Sequence, residues 1–235
     1  MIGDVFSWFG DPANWSGIEG VPNRVLQHLG YVGLALVIAA VIAIPLGLFI
    51  GHSGRGGTGL VSVSNGIRAL PTLGLVTFLF LLLTDDYLSA MIGLVVLAIP
   101  PILAGTYAGL QATDARVVDA AEGVGMTGWQ RLWQVEVPIS MPLILGGIRN
   151  AVLQLVATAA VASYIGLGGL GRFLLDGLAI LDYAEVMAGA ILTALLAIVL
   201  DLLFGGLQRA VVPRGVRLAA AAASGKRVAT SGGAE

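Results

Sequence analysis

Asp119-Ala120-Ala121-Glu122-Gly123-Val124-Gly125-Met126-Thr127-Gly128-Trp129-Gln130-Arg131-Leu132-Trp133-Gln134-Val135-Glu136-Val137-Pro138 is the longest polar interval between hydrophobic spans in this chain. Asp114, just upstream, stands where a helix N-cap belongs. Val117, Ala120, Ala121 and Val124 then recur at helical spacing and predict one apolar face. Gly123 and Gly125 break that helix. Thr127-Gly128-Trp129-Gln130 fits a capping box for a second helix. Trp129, Leu132 and Trp133 form its expected apolar stripe, and Pro138 is expected to end it. The prediction is two short helices joined by a glycine elbow.

The surroundings of this interval set the class of protein. The chain has 235 residues, of which 57% are hydrophobic and only 11% charged, with a mean hydropathy of +0.93. A soluble domain carries about 25% charged residues, so this is an integral membrane protein. The 34 glycines lie inside apolar runs, which suits close helix packing in lipid. There is no cysteine, which excludes disulfides and thiolate metal sites.

Five spans are expected, each needing about 20 apolar residues. They run over 25–50, 60–83, 88–110, 142–165 and 184–207, with Pro45 in the first, Pro71 in the second and Pro100-Pro101 in the third. Helices are the expected form, giving an all-α polytopic fold. Gly47/Gly51 and Gly105/Gly109 have the small-xxx-small spacing that lets helices approach closely. Residues 1–24 hold Phe6, Trp8, Phe9 and Trp15 among acids and read as an interfacial segment. No basic region precedes a short apolar run there, so no secretory signal is expected. Residues 25–212 form the transmembrane region, with a polar loop at about 111–141. Residues 213–235, rich in Ala, Gly, Ser and basic residues, are expected to be a disordered cytoplasmic tail.

Charge orients the spans. One side holds Arg24 and Arg172 as its only basic residues; the other holds Arg55, Arg116, Arg131, Arg209, Arg214, Arg217, Lys226 and Arg227. The second side is therefore expected in the cytoplasm, with the N-terminus outside, the C-terminus inside and the polar loop inside. Tyr31, Tyr87, Tyr164 and Tyr183 fall near the outer boundary, as an aromatic belt does.

Asp119-Ala120-Ala121, three residues, Gly125, nine residues, Val135, one residue, Val137-Pro138 resembles the EAA loop of ATP-binding cassette importer permeases. The family pattern has Glu, Ile and Leu where this chain has Asp119, Val135 and Val137. The resemblance implies a type I importer permease fold whose cytoplasmic loop docks on a separate ATPase; Asp119, Ala120, Ala121, Gly125, Trp129, Trp133, Val135, Val137 and Pro138 are its candidate coupling residues. Arg68-Ala69-Leu70-Pro71-Thr72-Leu73-Gly74, Ile99-Pro100-Pro101-Ile102-Leu103, Thr106-Tyr107-Ala108-Gly109-Leu110, Ile148-Arg149-Asn150-Ala151-Val152 and Ile165-Gly166-Leu167-Gly168-Gly169-Leu170-Gly171 resemble the osmoprotectant branch of that family. That branch imports glycine betaine, choline, carnitine or proline betaine. A cargo of methionine or another amino acid within the superfamily is the alternative, and a secondary transporter or channel without an ATPase is the alternative from another class.

The partners so implied are cytoplasmic ATP-binding subunits, a second permease subunit and an external solute-binding protein; a nucleic-acid partner is not expected. ATP and Mg belong to the ATPase, and no cofactor is expected in this chain. No G-x-x-x-x-G-K-[ST] run, paired acids or Ser/His/Asp set is present, so enzymatic activity is not expected. Gly166–Gly171 satisfies G-x-G-x-x-G, but it follows a membrane helix rather than a strand, which argues against a dinucleotide site. His52, in an expected turn over 52–59, reads as solvent-facing. His28 reads as isolated, and neither has a partner at metal-ligand spacing.

Two further groups are pathway or gate candidates. Tyr107 and Tyr164 have ring faces suited to a quaternary ammonium, and an acidic outer mouth would favour cationic or zwitterionic solutes. Arg68, Arg149 and Asp201 each lie roughly 9–12 Å inside the inner boundary. A lone charge there costs about 2.5–3.5 kcal/mol on insertion scales, so Asp201 is expected to pair with Arg149 or Arg68.

Overall fold

In the computed structural model, which describes residues 2–211, the apolar runs are helices and their lengths bear out a multi-pass membrane protein. The order is α1 (Ile2–Gly10), α2 (Val21–Ser53), α3 (Gly57–Arg68), α4 (Thr72–Leu83), α5 (Asp86–Gln111), α6 (Ala115–Gly123), α7 (Gly128–Arg131), a π-turn (Leu132–Glu136), α8 (Val137–Ala162), α9 (Gly171–Ala179) and α10 (Tyr183–Val211). Among the described residues, four continuous helical stretches are long and apolar enough to cross a membrane: 21–53, 86–111, 128–165 and 183–211. The tail 213–235 lies outside the described residues.

The second expected span is not straight. α3 and α4 meet at 86° instead of forming one rod over 60–83. Pro71, extended at φ −63° and ψ 121°, caps α4; its ring keeps Leu70 out of the helical region and it has no N–H to continue α3. Pro45, Pro100 and Pro101 sit inside helices that continue through them. Their missing bonds are tolerated where neighbouring helices enclose the backbone, and Pro100 and Pro101 are buried.

The core is a three-helix seam with α5 at its centre, between α2 and α8. Ala35, Ala39 and Ala43 of α2 repeat every four residues, as do Ala90, Leu94, Ala98 and Ile102 of α5 and Ala151, Leu155 and Ala159 of α8; all are buried in one cluster. The alanines among them bring backbones together, and in lipid that close contact, rather than water exclusion, supplies the association energy. Both glycine pairs are used. A Cβ on Gly47 would stand 2.7 Å from Thr106 Cβ, and one on Gly51 would stand 2.9 Å from Leu110 Cβ. A Cβ on Gly105 would stand 2.7 Å from Gly147 Cα, and one on Gly109 2.9 Å from Ser140 Cβ. One small-xxx-small step thus seats α2 on α5 and the other seats α5 on α8.

At the end of the bundle far from α6, the 163–171 run folds over α2. Gly169 N–H donates to Gln27 Oε1 at 3.1 Å and Leu170 N–H to His28 Nδ1 at 3.3 Å, while His28 Nε2 donates to the Val156 carbonyl at 3.0 Å. His28 is therefore not isolated: it is fully buried as a neutral imidazole bridging α8 and the glycine-rich run. A Cβ at Gly171 would fall 2.1 Å from the Ala160 carbonyl oxygen, and Gly166 and Gly169 have φ of +99° and +89°. Close packing explains these glycines without a nucleotide. The N-terminal segment is held at the same end, where Trp8 meets Phe173 edge to face at 5.4 Å.

Candidate functional site

The polar segment between α5 and α8 is a built element rather than a free loop. Asp114 caps α6 by accepting from Arg116 N–H at 2.9 Å. The Arg116 guanidinium also donates to that carboxylate at 2.7 Å, and these hydrogen bonds hold the Asp114 carboxyl below the usual aspartate range. α6 closes as a Schellman motif: Met126 N–H donates to the Ala121 carbonyl at 3.1 Å and Gly125 N–H to the Glu122 carbonyl at 2.9 Å. Gly125 has φ +83°, which is why glycine stands there. Thr127 and Gln130 form the expected capping box, with Gln130 N–H donating to Thr127 Oγ1 at 3.3 Å and Thr127 N–H donating to Gln130 Oε1 at 2.9 Å.

Of the apolar face expected on α6, Ala121 is buried while Val117, Ala120 and Val124 are exposed. Two expectations for this segment fail. Trp129, Leu132 and Trp133 do not share a stripe: Leu132 turns inward, while Trp129 is 71% and Trp133 47% exposed, their rings 5.5 Å apart. Pro138 does not end the helix. The π-turn carries the chain from α7 into α8, and Pro138 falls in the first turn of α8, where a missing N–H costs least. Asp119 and Ala120 are exposed, and Val135, Val137 and Pro138 are half-buried.

Leu132 joins Leu48 of α2, Leu110 of α5 and Ile144 of α8 in a small apolar cluster. Above it lies a charged network that periodicity did not find. His52 belongs to the last turn of α2, so the expected turn over 52–59 is confined to its middle. Its Nδ1 donates to Glu136 Oε2 at 2.6 Å, which corrects the solvent-facing reading. Arg131 Nε lies 2.9 Å from Glu136 Oε1, near enough for an ion pair though not aligned for a hydrogen bond, and Arg131 Nη1 donates to Glu122. His52 and Glu136 are 84 residues apart, so no local pattern could pair them; the hint was an acid inside the run leading to an apolar span.

The gate candidates fall into three places. Arg149 and Asp201 form a two-pronged pair, Nε to Oδ1 and Nη2 to Oδ2, both at 2.5 Å, so α8 is tied to α10. Gln208 Nε2 adds a bond to the Pro142 carbonyl at 2.8 Å. The geometry thus chooses Arg149 over Arg68. Arg68 instead lines a cavity of about 540 Å³ between α3 and α5, together with Tyr107 and Ser64. Tyr107 and Tyr164 lie towards opposite ends of the bundle and do not share a site.

These features define a class: a multi-pass helical membrane protein with a compact two-helix element seated on the ends of its bundle. The chain belongs to the family of binding-protein-dependent transport system inner membrane components, matched over residues 43–216. It is 31% identical over 191 residues to the glycine betaine/carnitine/choline transport system permease protein OpuCB of Bacillus subtilis (strain 168), covering 81% of this chain and 88% of that one. It is 37% identical over 200 residues to the osmoprotectant import permease protein OsmW of Salmonella typhimurium, covering 83% and 93%. It is 33% identical over 191 residues to the carnitine transport permease protein OpuCB of Listeria monocytogenes, covering 81% and 88%. An inward-facing structure of the MetNI methionine ABC transporter matches the fold with a TM-score of 0.73 at 20% identity, covering 82% of this chain and 96% of that one.

Proposed function

We propose that this chain is the membrane-spanning subunit of an ATP-driven importer for small osmoprotectants such as glycine betaine, choline, carnitine or proline betaine. One observation carries the cargo: relatives named for these solutes are 31–37% identical over more than four-fifths of both chains. The likeness to the methionine transporter concerns the fold and says nothing of cargo.

Two such subunits, identical or paralogous, enclose the pathway, and an external binding protein delivers the solute. Cytoplasmic ATPase subunits, which hold the ATP and Mg, dock on residues 115–133. The exposed Trp129–Trp133 pair supports that role, because an aromatic anchor on a rigid short helix suits a partner groove. The N-terminus is outside and the C-terminus cytoplasmic, in keeping with Arg55, Arg116, Arg131 and Arg209 at one end of the spans. The Arg149–Asp201 pair works as an inner latch that holds α8 and α10 together in one of two alternating states. Arg68 and Tyr107 line part of the pathway near the same end, and Tyr164 belongs to its outer part.

Reconstituted vesicles test the reading. Uptake of glycine betaine or choline is expected only when this chain, the ATPase, ATP and the binding protein are all present. Uptake that persists without ATP, or uptake of methionine alone, overturns it.

A further inference from the structure

The charged network beneath the tryptophan pair is more than docking requires. Docking needs an exposed surface, whereas Glu136 is 6% exposed and points into the protein. The π-turn puts Leu132 and Glu136, four residues apart, both on the inward side. Burying a carboxylate is costly unless partners compensate it, and Glu136 has two from different elements: the His52 ring N–H on the last turn of α2 and the Arg131 guanidinium on α7. Arg131 reaches onward to Glu122 on α6. One chain of side chains therefore runs from α6 through α7 and the π-turn to α2.

Two kinds of contact hold the element to the bundle, and they do different things. The Leu48–Leu110–Leu132–Ile144 cluster is apolar and non-directional, so it holds the element down without fixing its rotation. The His52–Glu136 hydrogen bond is short and directional, so it resists sliding and rotation, and the Arg131 ion pair holds the same carboxylate from the α7 side.

We infer that Glu136 is a positioning residue for energy coupling: through His52 and Arg131 it locks the short helices to the ends of α2 and α8, so that displacing the element moves both long helices together. The inference rests on the proposed docking of an ATPase on this element, and its test separates the two. The full complex of permease, ATPase and binding protein is reconstituted with Glu136→Gln, which keeps the size and removes the charge. ATPase copurification, binding-protein-stimulated hydrolysis and solute uptake are measured together.

Copurification is expected to stay at the wild-type level, while uptake per ATP hydrolysed falls about tenfold, within the range common for coupling between sites. His52→Asn is expected to lower the same ratio, and the double variant to lower it little further, because both changes remove one interaction. An assembled Glu136→Gln complex with the wild-type ratio overturns the inference, even if hydrolysis and uptake fall in proportion, since that pattern marks a merely structural role. If Glu136→Gln does not assemble, His52→Asn decides by the same ratio. Failure of the docking reading looks different: Trp129→Ala would then leave ATPase copurification unchanged.

Discussion

The 114–136 segment and the 163–171 run solve the same problem at opposite ends of the bundle, that of fastening polar backbone to the ends of membrane helices. The first uses charges and caps: Asp114, the Thr127–Gln130 box and the Glu122–Arg131–Glu136–His52 network. The second uses close approach, with glycines against backbone and one neutral His28 as a bridge. The charged element leaves a tryptophan pair uncovered, whereas the glycine-rich run buries Leu170 fully and exposes the single ring of Tyr164. Directional charged contacts can be pulled and hold register; close-packed glycines leave no slack. The difference gives one end directional contacts around an uncovered tryptophan pair and the other end tight backbone packing.

The sharpest way to break this contrast is Gly125→Trp. No atom lies within 4 Å of a Cβ at Gly125, so a side chain can leave the backbone there without a clash at its first atom. The left-handed φ costs only about 1–2 kcal/mol. Insertion is expected to survive while ATP-driven uptake falls to background, because the ring intrudes on the partner side. Wild-type uptake would remove the docking role.

Gly171→Val probes the opposite end. Its Cβ would collide with the Ala160 carbonyl, and a loss of about 3 kcal/mol or more is expected. Thermal unfolding in detergent reads it, and an unchanged transition would refute the close-packed account. Trp129→Ala, on the exposed side chain, is expected to leave that transition alone but weaken ATPase binding by about 2 kcal/mol. Copurification with the ATPase under increasing salt and detergent washes is the measurement.

Between the two ends, Asp201→Asn removes the two-pronged pair and leaves Arg149 inside the span without its counter-charge, so a lower thermal transition in detergent is expected. Uptake is expected to drop several-fold and to be restored in part by exchanging the charges at Arg149 and Asp201. No restoration would leave the latch without support. The smallest effect belongs to Asp114→Ala, which removes an exposed cap and is expected to fray only the first turn of α6. Its carboxyl is held below the usual aspartate range, so the charged cap persists as pH falls into that range and is lost only below it. Hydrogen exchange of the α6 amides against pH checks the sign.

Much of this was legible along the chain, because membrane helices announce themselves by long apolar runs and caps by residues three or four apart. The spans, the Asp114 cap, the Thr127–Gln130 box and the Gly125 elbow are local patterns of that kind. The expected stripe on α7 failed, and the α6 face is mostly uncovered, because periodicity gives the spacing of apolar residues but not which neighbour, if any, covers them. Pro138 was misread because a π-turn and a following first helical turn accommodate proline. Pro71 marks where the second span breaks, yet the 86° bend depends on how α3 and α4 pack against α5.

The sequence by itself determined a helical, multi-pass chain with a polar two-helix element, since apolar length, caps and turn glycines act over a few residues. Only the tertiary structure decided that Asp201 meets Arg149, that His28 bridges α8 to the glycine-rich run, and that His52 meets Glu136. Those contacts join residues tens of positions or more apart, and they depend on how far each helix is rotated about its own axis. In a chain this uniformly apolar, composition says little about that rotation; the close approach of small residues across α2, α5 and α8 sets it.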